Sequence, residues 1–262
     1  LNNYVRRRSG QLGDFAYLLA PEGEFYGAGL SFHAVGLPDP GRLDEAAKAN
    51  LLAVLRQAQF VGVRDENGAN FLEAEGIAVE RMPCGLSVLP QVCARQLREA
   101  RDSAALEEIR HRFPNGWIAV EVSEVRAADF ERMTAALREI SERDGLGLVF
   151  FEARKSFGEV RSSRLRRWVE AFPEWQAAEF GSNNIWELAS FLLHSRLYCG
   201  GCLSSRVICM SGGVARINIP TGTPATGSYC ELWEDDSVPI EFADGEDWAA
   251  ALKEALSVDL SL

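Results

Sequence analysis

The chain has 262 residues, 47% of them apolar, and a formal net charge of −11. That length allows two domains of ordinary size with a large core; the acidic balance excludes a general nucleic-acid binder, which needs a basic face. No apolar run approaches the roughly 18 residues that a membrane helix requires, and the six cysteines are too sparse for a disulfide scaffold, so a reduced, cytoplasmic chain is expected.

Leu1-Asn2-Asn3-Tyr4 leads straight into Arg6-Arg7-Arg8 with no apolar segment behind it, so no signal peptide is read. The lack of a starting Met leads us to expect residues before Leu1. Phe15 to Ala20 reads as a strand or a helical turn. Phe25 to Phe32 reads as a strand entering a Gly-rich turn. Its Gly27 and Gly29 mark tight packing at a strand end more simply than a phosphate site. Leu43, Ala47, Leu51, Val54 and Leu55 recur at helical spacing. Phe60 to Val63 is a short strand. Arg64-Asp65 follows it, then a helix ending at Gly76, then a strand over Ile77–Arg81.

Residues 95 to 114 are rich in arginine and read as a solvated helix between domains. Pro114-Asn115-Gly116 is turn chemistry and marks the expected boundary between domains 1–114 and 115–262. Trp117 to Val122 is then a strand. Phe130, Met133, Leu137 and Ile140 define a helix, and Leu146 to Phe151 is a strand of the kind buried on both faces. Ser162 to Phe172 is a helix and Gln176 to Phe180 a strand.

Asn184 to Pro220 is the most informative stretch. Ile185, Leu188, Ala189 and Leu192 make an apolar helix face, with Asn184 as cap and Glu187 completing a box-like start. Leu197-Tyr198-Cys199 is strand-like, Gly200-Gly201 permits a tight turn, Val207 to Met210 carry a helix, and Val214 to Ile219 read as a strand. Two strands joined through one helix form a βαβ unit with parallel strands. The turn at Gly200 to Ser205 lies at a strand's carboxyl end, where open α/β sheets bind ligands. Beyond it, Pro224 to Gly227 reads as a loop and Val238 to Phe242 as a strand. Trp248, Leu252 and Leu256 mark a closing helix capped near Asp244.

Residues 60–77, FVGVRDENGANFLEAEGI, and the stretch ELASFLLHSRLYCGGCLSSRVICMSGGVARINI together resemble the polysaccharide pyruvyl transferase family. The first is similar to its strand–Arg-Asp–Glu–helix–Gly-Ile segment. The second is similar to its helix, strand, Gly-x-Arg-Leu-His, helix, Gly-Val-Pro pattern, in the same order. The resemblance implies an α/β fold of two Rossmann-like domains, GT-B-like, with the N-terminal domain incomplete. It implies transfer of a pyruvyl unit as a ketal from phosphoenolpyruvate, the co-substrate, to a saccharide or lipid-linked saccharide, with no cofactor and no metal. By the same resemblance Arg64, Asp65, Gly200, Gly201 and Ser205 would contact substrate.

The catalytic positions depart from the family. In register, Arg-Leu-His falls on Cys202-Leu203-Ser204, which removes both the cation that would pair phosphate or carboxylate and the imidazole acid. After Val122, where the family often carries an Arg, this chain has Ser123-Glu124. Two functions therefore stay open: a pyruvyl transferase-like enzyme with altered or lost catalysis, and a non-catalytic saccharide- or partner-binding protein on the same scaffold. Arg64-Asp65 reads equally as an ion-paired helix start. Cys199-Gly200-Gly201-Cys202 has redox-motif spacing, but Cys199 belongs to the strand. His33, His111 and His194 are too scattered for a metal cluster. Arg161, Arg164, Arg166 and Arg167 form a basic helix face, solvated or anion-binding. Trp186 is a candidate sugar platform.

Overall fold

The computed structural model describes residues 29–37, 41, 43–123, 125–153, 163–220, 224–242, 245, 247–258 and 260. The element expected at Phe15 to Ala20, together with Gly27, Arg161 and the cap at Asp244, lies outside them. The chain divides into two compact units at Cys84/Gly85.

The first unit holds a three-stranded parallel sheet in the order β1-β2-β3, with β1 at Ser31–Val35, β2 at Phe60–Val63 and β3 at Glu80–Arg81. Helix α1 (Glu45–Leu55) starts at Asp44, whose carboxylate accepts from Ala47 N–H. Helix α2 (Glu66–Ala74) starts at Asp65. Leu51, Leu55, Val63 and Leu72 form the centre of this unit's core. The register of β1 shifts between Phe32 and Val35, and Ala34 between them has φ of 51°, a bulge at the strand's carboxyl end.

The second unit is a five-stranded, all-parallel sheet in the order β6-β5-β4-β7-β8. Its strands are β4 (Trp117–Glu121), β5 (Gly147–Phe151), β6 (Ala177–Glu179), β7 (Leu197–Gly200) and β8 (Ala215–Asn218). Side chains alternate across each strand, so Ile118 and Val120 enter one apolar cluster while Trp117 and Ala119 enter another. Both faces are covered, which is why residues 117–120 of β4 and 147–151 of β5 are uninterrupted apolar runs. One face carries α6 (Phe130–Asp144), α7 (Ser163–Glu170) and α11 (Trp248–Ser257), through Met133, Leu137, Trp168 and Leu252. The other carries α3 (Leu89–Val92), α4 (Ala94–Arg101), α5 (Ala104–Arg112), α8 (Ile185–Leu193) and α9 (Leu203–Ser211). Helix α10 (Pro224–Trp233) follows β8.

Four expectations change. The charged residues 95–114 do not bridge domains. Leu97, Leu106 and Ile109 bury into the second sheet's core, so the units divide upstream of Pro114. Pro224 to Gly227 opens α10 instead of forming a loop, because proline fits the first helical turn, where its missing N–H has no partner to lose. Val238 to Phe242 makes a single bridge, Asn218 to Glu241, and no strand. The closing helix is capped by Asp247, which accepts from Ala249 and Ala250 N–H.

Candidate functional site

In the second sheet β4 and β7 are neighbours, yet the helices that follow them go to opposite faces: α6 to one and α9 to the other. This is the topological switch point, where adjacent connections diverge and where open α/β sheets in general bind their ligands. The residues there are Glu121 to Ser123, at and just past the end of β4, and Gly200 to Cys202, at and just past the end of β7.

Glu121 is 1% exposed. One carboxylate oxygen accepts from the backbone N–H of Ser123 at 3.0 Å and of Ala153 at 3.4 Å, and the other from that of Gly201 at 3.4 Å. These amides lie just past the ends of β4, β5 and β7. A buried carboxylate thus draws three strand ends together through charge-assisted bonds. Sequence reading passed over Glu121 inside the strand expected at Trp117 to Val122. The available signal was a carboxylate closing a run that is buried on both faces, which demands polar partners.

Gly200 is glycine because of Glu121. A Cβ on Gly200 would stand 2.4 Å from the Glu121 Cβ and 2.7 Å from the Tyr198 hydroxyl. Its φ is not positive, so the expected need for a tight turn is replaced by a need for close side-chain approach. The buried Tyr198 hydroxyl accepts from Cys202 N–H and donates to the Cys202 carbonyl, both at 3.1 Å, pinning the turn. Burial first, then the nearby Cys202 and Glu121, holds the Tyr198 phenol far above its ordinary pKa.

Cys202 is the N-cap of α9 and 8% exposed. Burial, then the charge of Glu121, pushes its thiol up against the opposing pull of the Ser205 and Ser204 groups at the helix start. Burial and Glu121 push Cys199 up as well. A redox or nucleophilic cysteine needs the opposite shift, so the redox reading fails at this pair. Ser204 is exposed and Ser205 buried. From α7, Arg164 donates Nη1 to the Ser123 carbonyl, while Arg167 lies 3.9 Å over the Phe130 ring. The expected basic face is therefore divided between separate roles. Trp186 is half-buried against the core, and His194 holds Nδ1 2.7 Å from the Ser190 carbonyl of its own helix.

Behind α9 lies a network that sequence reading missed. Arg206 is 0% exposed and pairs through two nitrogens with Glu234, at 2.9 and 2.5 Å. Arg216 donates to the same carboxylate at 2.9 Å. Arg206 also donates to Asn218 Oδ1 and to the carbonyls of Pro239 and Ile240. Burial works to lower the Arg206 pKa; Glu234 outweighs it and the net shift is upward. The triad ties α9, β8 and the end of α10 together and so fixes the helix that begins at Cys202.

Arg64 and Asp65 belong to the first unit. Asp65 accepts from Gly68 N–H at 2.8 Å and caps α2; burial raises its carboxyl pKa against that bond. The Arg64 guanidinium lies against Gly36, 2.5 Å from where a Cβ would be, beyond the bulge of β1. The expected site residues thus fall in two groups: Arg64 with Asp65, and Gly200, Gly201, Cys202, Ser204 and Ser205. Among the described residues no group of His, Cys, Asp or Glu could hold a metal ion, and no helix is long and apolar enough to cross a membrane.

No protein-family model matches the chain, and no curated protein matches it. Solved structures do. The chain is similar to a UDP-forming α,α-trehalose-phosphate synthase from Burkholderia xenovorans at 13% identity and a TM-score of 0.57, over 89% of this chain and 62% of that one. It is similar to a UDP-GlcNAc 2-epimerase from Methanocaldococcus jannaschii, in complex with UDP-GlcNAc and UDP, at 14% identity and a TM-score of 0.54, over 89% and 64%. A trehalose 6-phosphate synthase from Burkholderia multivorans gives 13% and 0.57, over 88% and 59%. The chain spans about six-tenths of the length of these structures. The likeness is one of fold: an α/β chain of Rossmann-like units, GT-B-like, as the sequence implies. It does not reach the pyruvyl transferase family.

Proposed function

We propose that this chain binds a saccharide at the carboxyl ends of β4 and β7 and does not itself carry out chemistry on it. The observation that carries this reading is Glu121. Its carboxylate takes the amide hydrogens of Ser123, Ala153 and Gly201, which a phosphate or carboxylate ligand would otherwise use, and it places negative charge there. Being 1% exposed, the carboxylate acts on a sugar at these strand ends by fixing them in place and not by touching it. The sugar-nucleotide and sugar-phosphate names of the structural neighbours support the same ligand class. A saccharide or lipid-linked saccharide is the ligand class, and the buried thiols of Cys199, Cys202, Cys209 and Cys230, none in a disulfide, support a cytoplasmic setting.

Pyruvyl transfer is the second reading, and Arg164 is the observation in its favour, since it brings a cation to the Ser123 carbonyl. Against it stand a protonated Cys202 thiol and an exposed Ser204 hydroxyl in place of a cation and an acid.

Calorimetric titration of galactosides, UDP-GlcNAc and phosphoenolpyruvate, run beside a phosphate-release assay, separates the two. We expect saccharide binding that weakens by about tenfold or more in Glu121→Gln, which loosens the strand ends that the carboxylate draws together. Phosphate release from phosphoenolpyruvate that depends on saccharide would overturn the binding-only reading.

A further inference from the structure

A second concavity lies at the opposite end of the same sheet, where β7 and β8 begin. It encloses about 640 Å³, inside the range of about 300–1,000 Å³ usual for small-molecule sites. Leu193 at the end of α8, Val214 ahead of β8, Leu256 on α11, and Val258 and Leu260 beyond α11 give it apolar walls. Between them Gly212 and Gly213 contribute only backbone. A Cβ on Gly212 would stand 2.4 Å from Leu193 Cδ2, and one on Gly213, whose φ is 65°, would stand 3.2 Å from the Leu260 carbonyl oxygen. The glycine pair that ends α9 lets both walls close in on its backbone.

Among the described residues that line this groove, Arg196 alone is charged. Its backbone N–H donates to the Trp117 carbonyl at 2.8 Å, and its stem runs over Gly116, where a Cβ would stand 2.7 Å from Arg196 Cγ. The residue is exposed, and among the described residues its guanidinium has no hydrogen-bond or ion-pair partner. The lining hydroxyls are already committed as donors: Ser195 to the Leu192 carbonyl and Ser211 to that of Ile208, both at 2.7 Å.

We propose that this groove binds an amphiphile with an anionic head on a single alkyl chain. The walls take the chain by burial of apolar surface. The guanidinium takes a carboxylate or phosphate head, the acceptors that match its planar fork. Charge decides among amphiphiles, since a cationic head meets a like charge and a neutral head leaves Arg196 unused. The groove lies at the strands' amino ends and the saccharide site at their carboxyl ends, so neither reading rests on the other. A rival role for Arg196 is to offset the dipole of α8, which ends beside it. That role alone predicts lost stability in Arg196→Gln with no change in ligand preference.

The test is calorimetric titration of the whole chain, below micelle-forming concentrations, with decanoate, decyl phosphate, decanol and decyltrimethylammonium. We expect decanoate or decyl phosphate to bind about fivefold more tightly than decanol, the contribution of one well-formed but partly exposed ion pair. Which of the two binds more tightly identifies the head. Arg196→Gln, at an exposed side chain, should keep the native circular dichroism and erase the preference while decanol binding stays unchanged. Leu260→Asp, beyond α11, adds a carboxylate to the lining and should turn the preference toward the cation. Equal affinity for anion and alcohol, tighter binding of the cation by wild type, or no binding of any decyl compound overturns the proposal. So does an Arg196→Gln variant that loses stability but keeps the preference. A preference lost in Glu121→Gln and kept in Arg196→Gln would move the ligand to the switch point and overturn it as well.

Discussion

Replacing Glu234 by Gln tests whether the buried triad holds the second unit together. The substitution keeps the side chain's volume and removes its charge. Three short contacts change, two from Arg206 and one from Arg216. The two guanidiniums that remain are 0% and 5% exposed and cannot shed a proton. Carbonyls of Val214, Pro239 and Ile240 still satisfy some of their hydrogens, but none carries a full negative charge. Removing one member of such a buried set destabilises by about 3–5 kcal/mol, because it leaves uncompensated buried charge. Against a total of about 5–15 kcal/mol for a typical domain, that is a large fraction. All six tryptophans lie in the second unit, so urea unfolding followed by indole fluorescence reports that unit alone. The control is Glu99→Gln, which removes an ion pair whose side chains are 77% and 69% exposed and should cost about 0–1 kcal/mol. If Glu234→Gln shifts the unfolding midpoint no further than Glu99→Gln does, the triad does not stabilise the fold and the reasoning fails.

Gly200→Ala should destabilise the second unit by about 1–3 kcal/mol, the usual penalty for overpacking, since β7 is paired on both sides and cannot recoil from the Glu121 Cβ at 2.4 Å. It should also weaken saccharide binding, and a variant with native stability and native affinity would show that the close approach is unimportant. Alkaline pH should lower stability. Burial raises the thiols of Cys199, Cys202 and Cys209, and pushes Cys230 up to about 11. An acid whose folded pKa exceeds its unfolded value binds more protons when folded, so stability is full below the unfolded pKa and falls as pH rises above about 8.5. Each thiol that stays protonated at one unit above that value contributes a loss of about 1.4 kcal/mol. A urea midpoint that is flat from pH 7.5 to 9.5 would contradict this.

Much of the second sheet is legible in the sequence alone. Strands β4 and β5 read as apolar runs because both faces are buried, and α6 shows its period because only one of its faces is. The unit β7–α9–β8 was legible because strand, glycine pair and helix lie within one short stretch. What local pattern could not supply was the set of contacts made across long separations. Glu121 reaches Gly201 from another strand, and Glu234 gathers Arg206 and Arg216 from elements that precede it. A charge's partner is set by which chain segments meet, and composition near the charge does not encode that.

The same physics explains the misread segments. Residues 95–114 carry enough arginine to look solvated, yet Leu97 on α4 and Leu106 and Ile109 on α5 find a core once the second sheet is present. Sequence by itself determined the alternation of helix and strand, the parallel pairing and the carboxyl-end turn at Gly200, because these follow from backbone geometry and side-chain period. Tertiary structure alone decided that the turn is governed by a carboxylate instead of a cation, and that its cysteine is a buried, protonated cap. Desolvation and electrostatics depend on which groups surround a side chain in space, and they act on it only after the chain has closed around it.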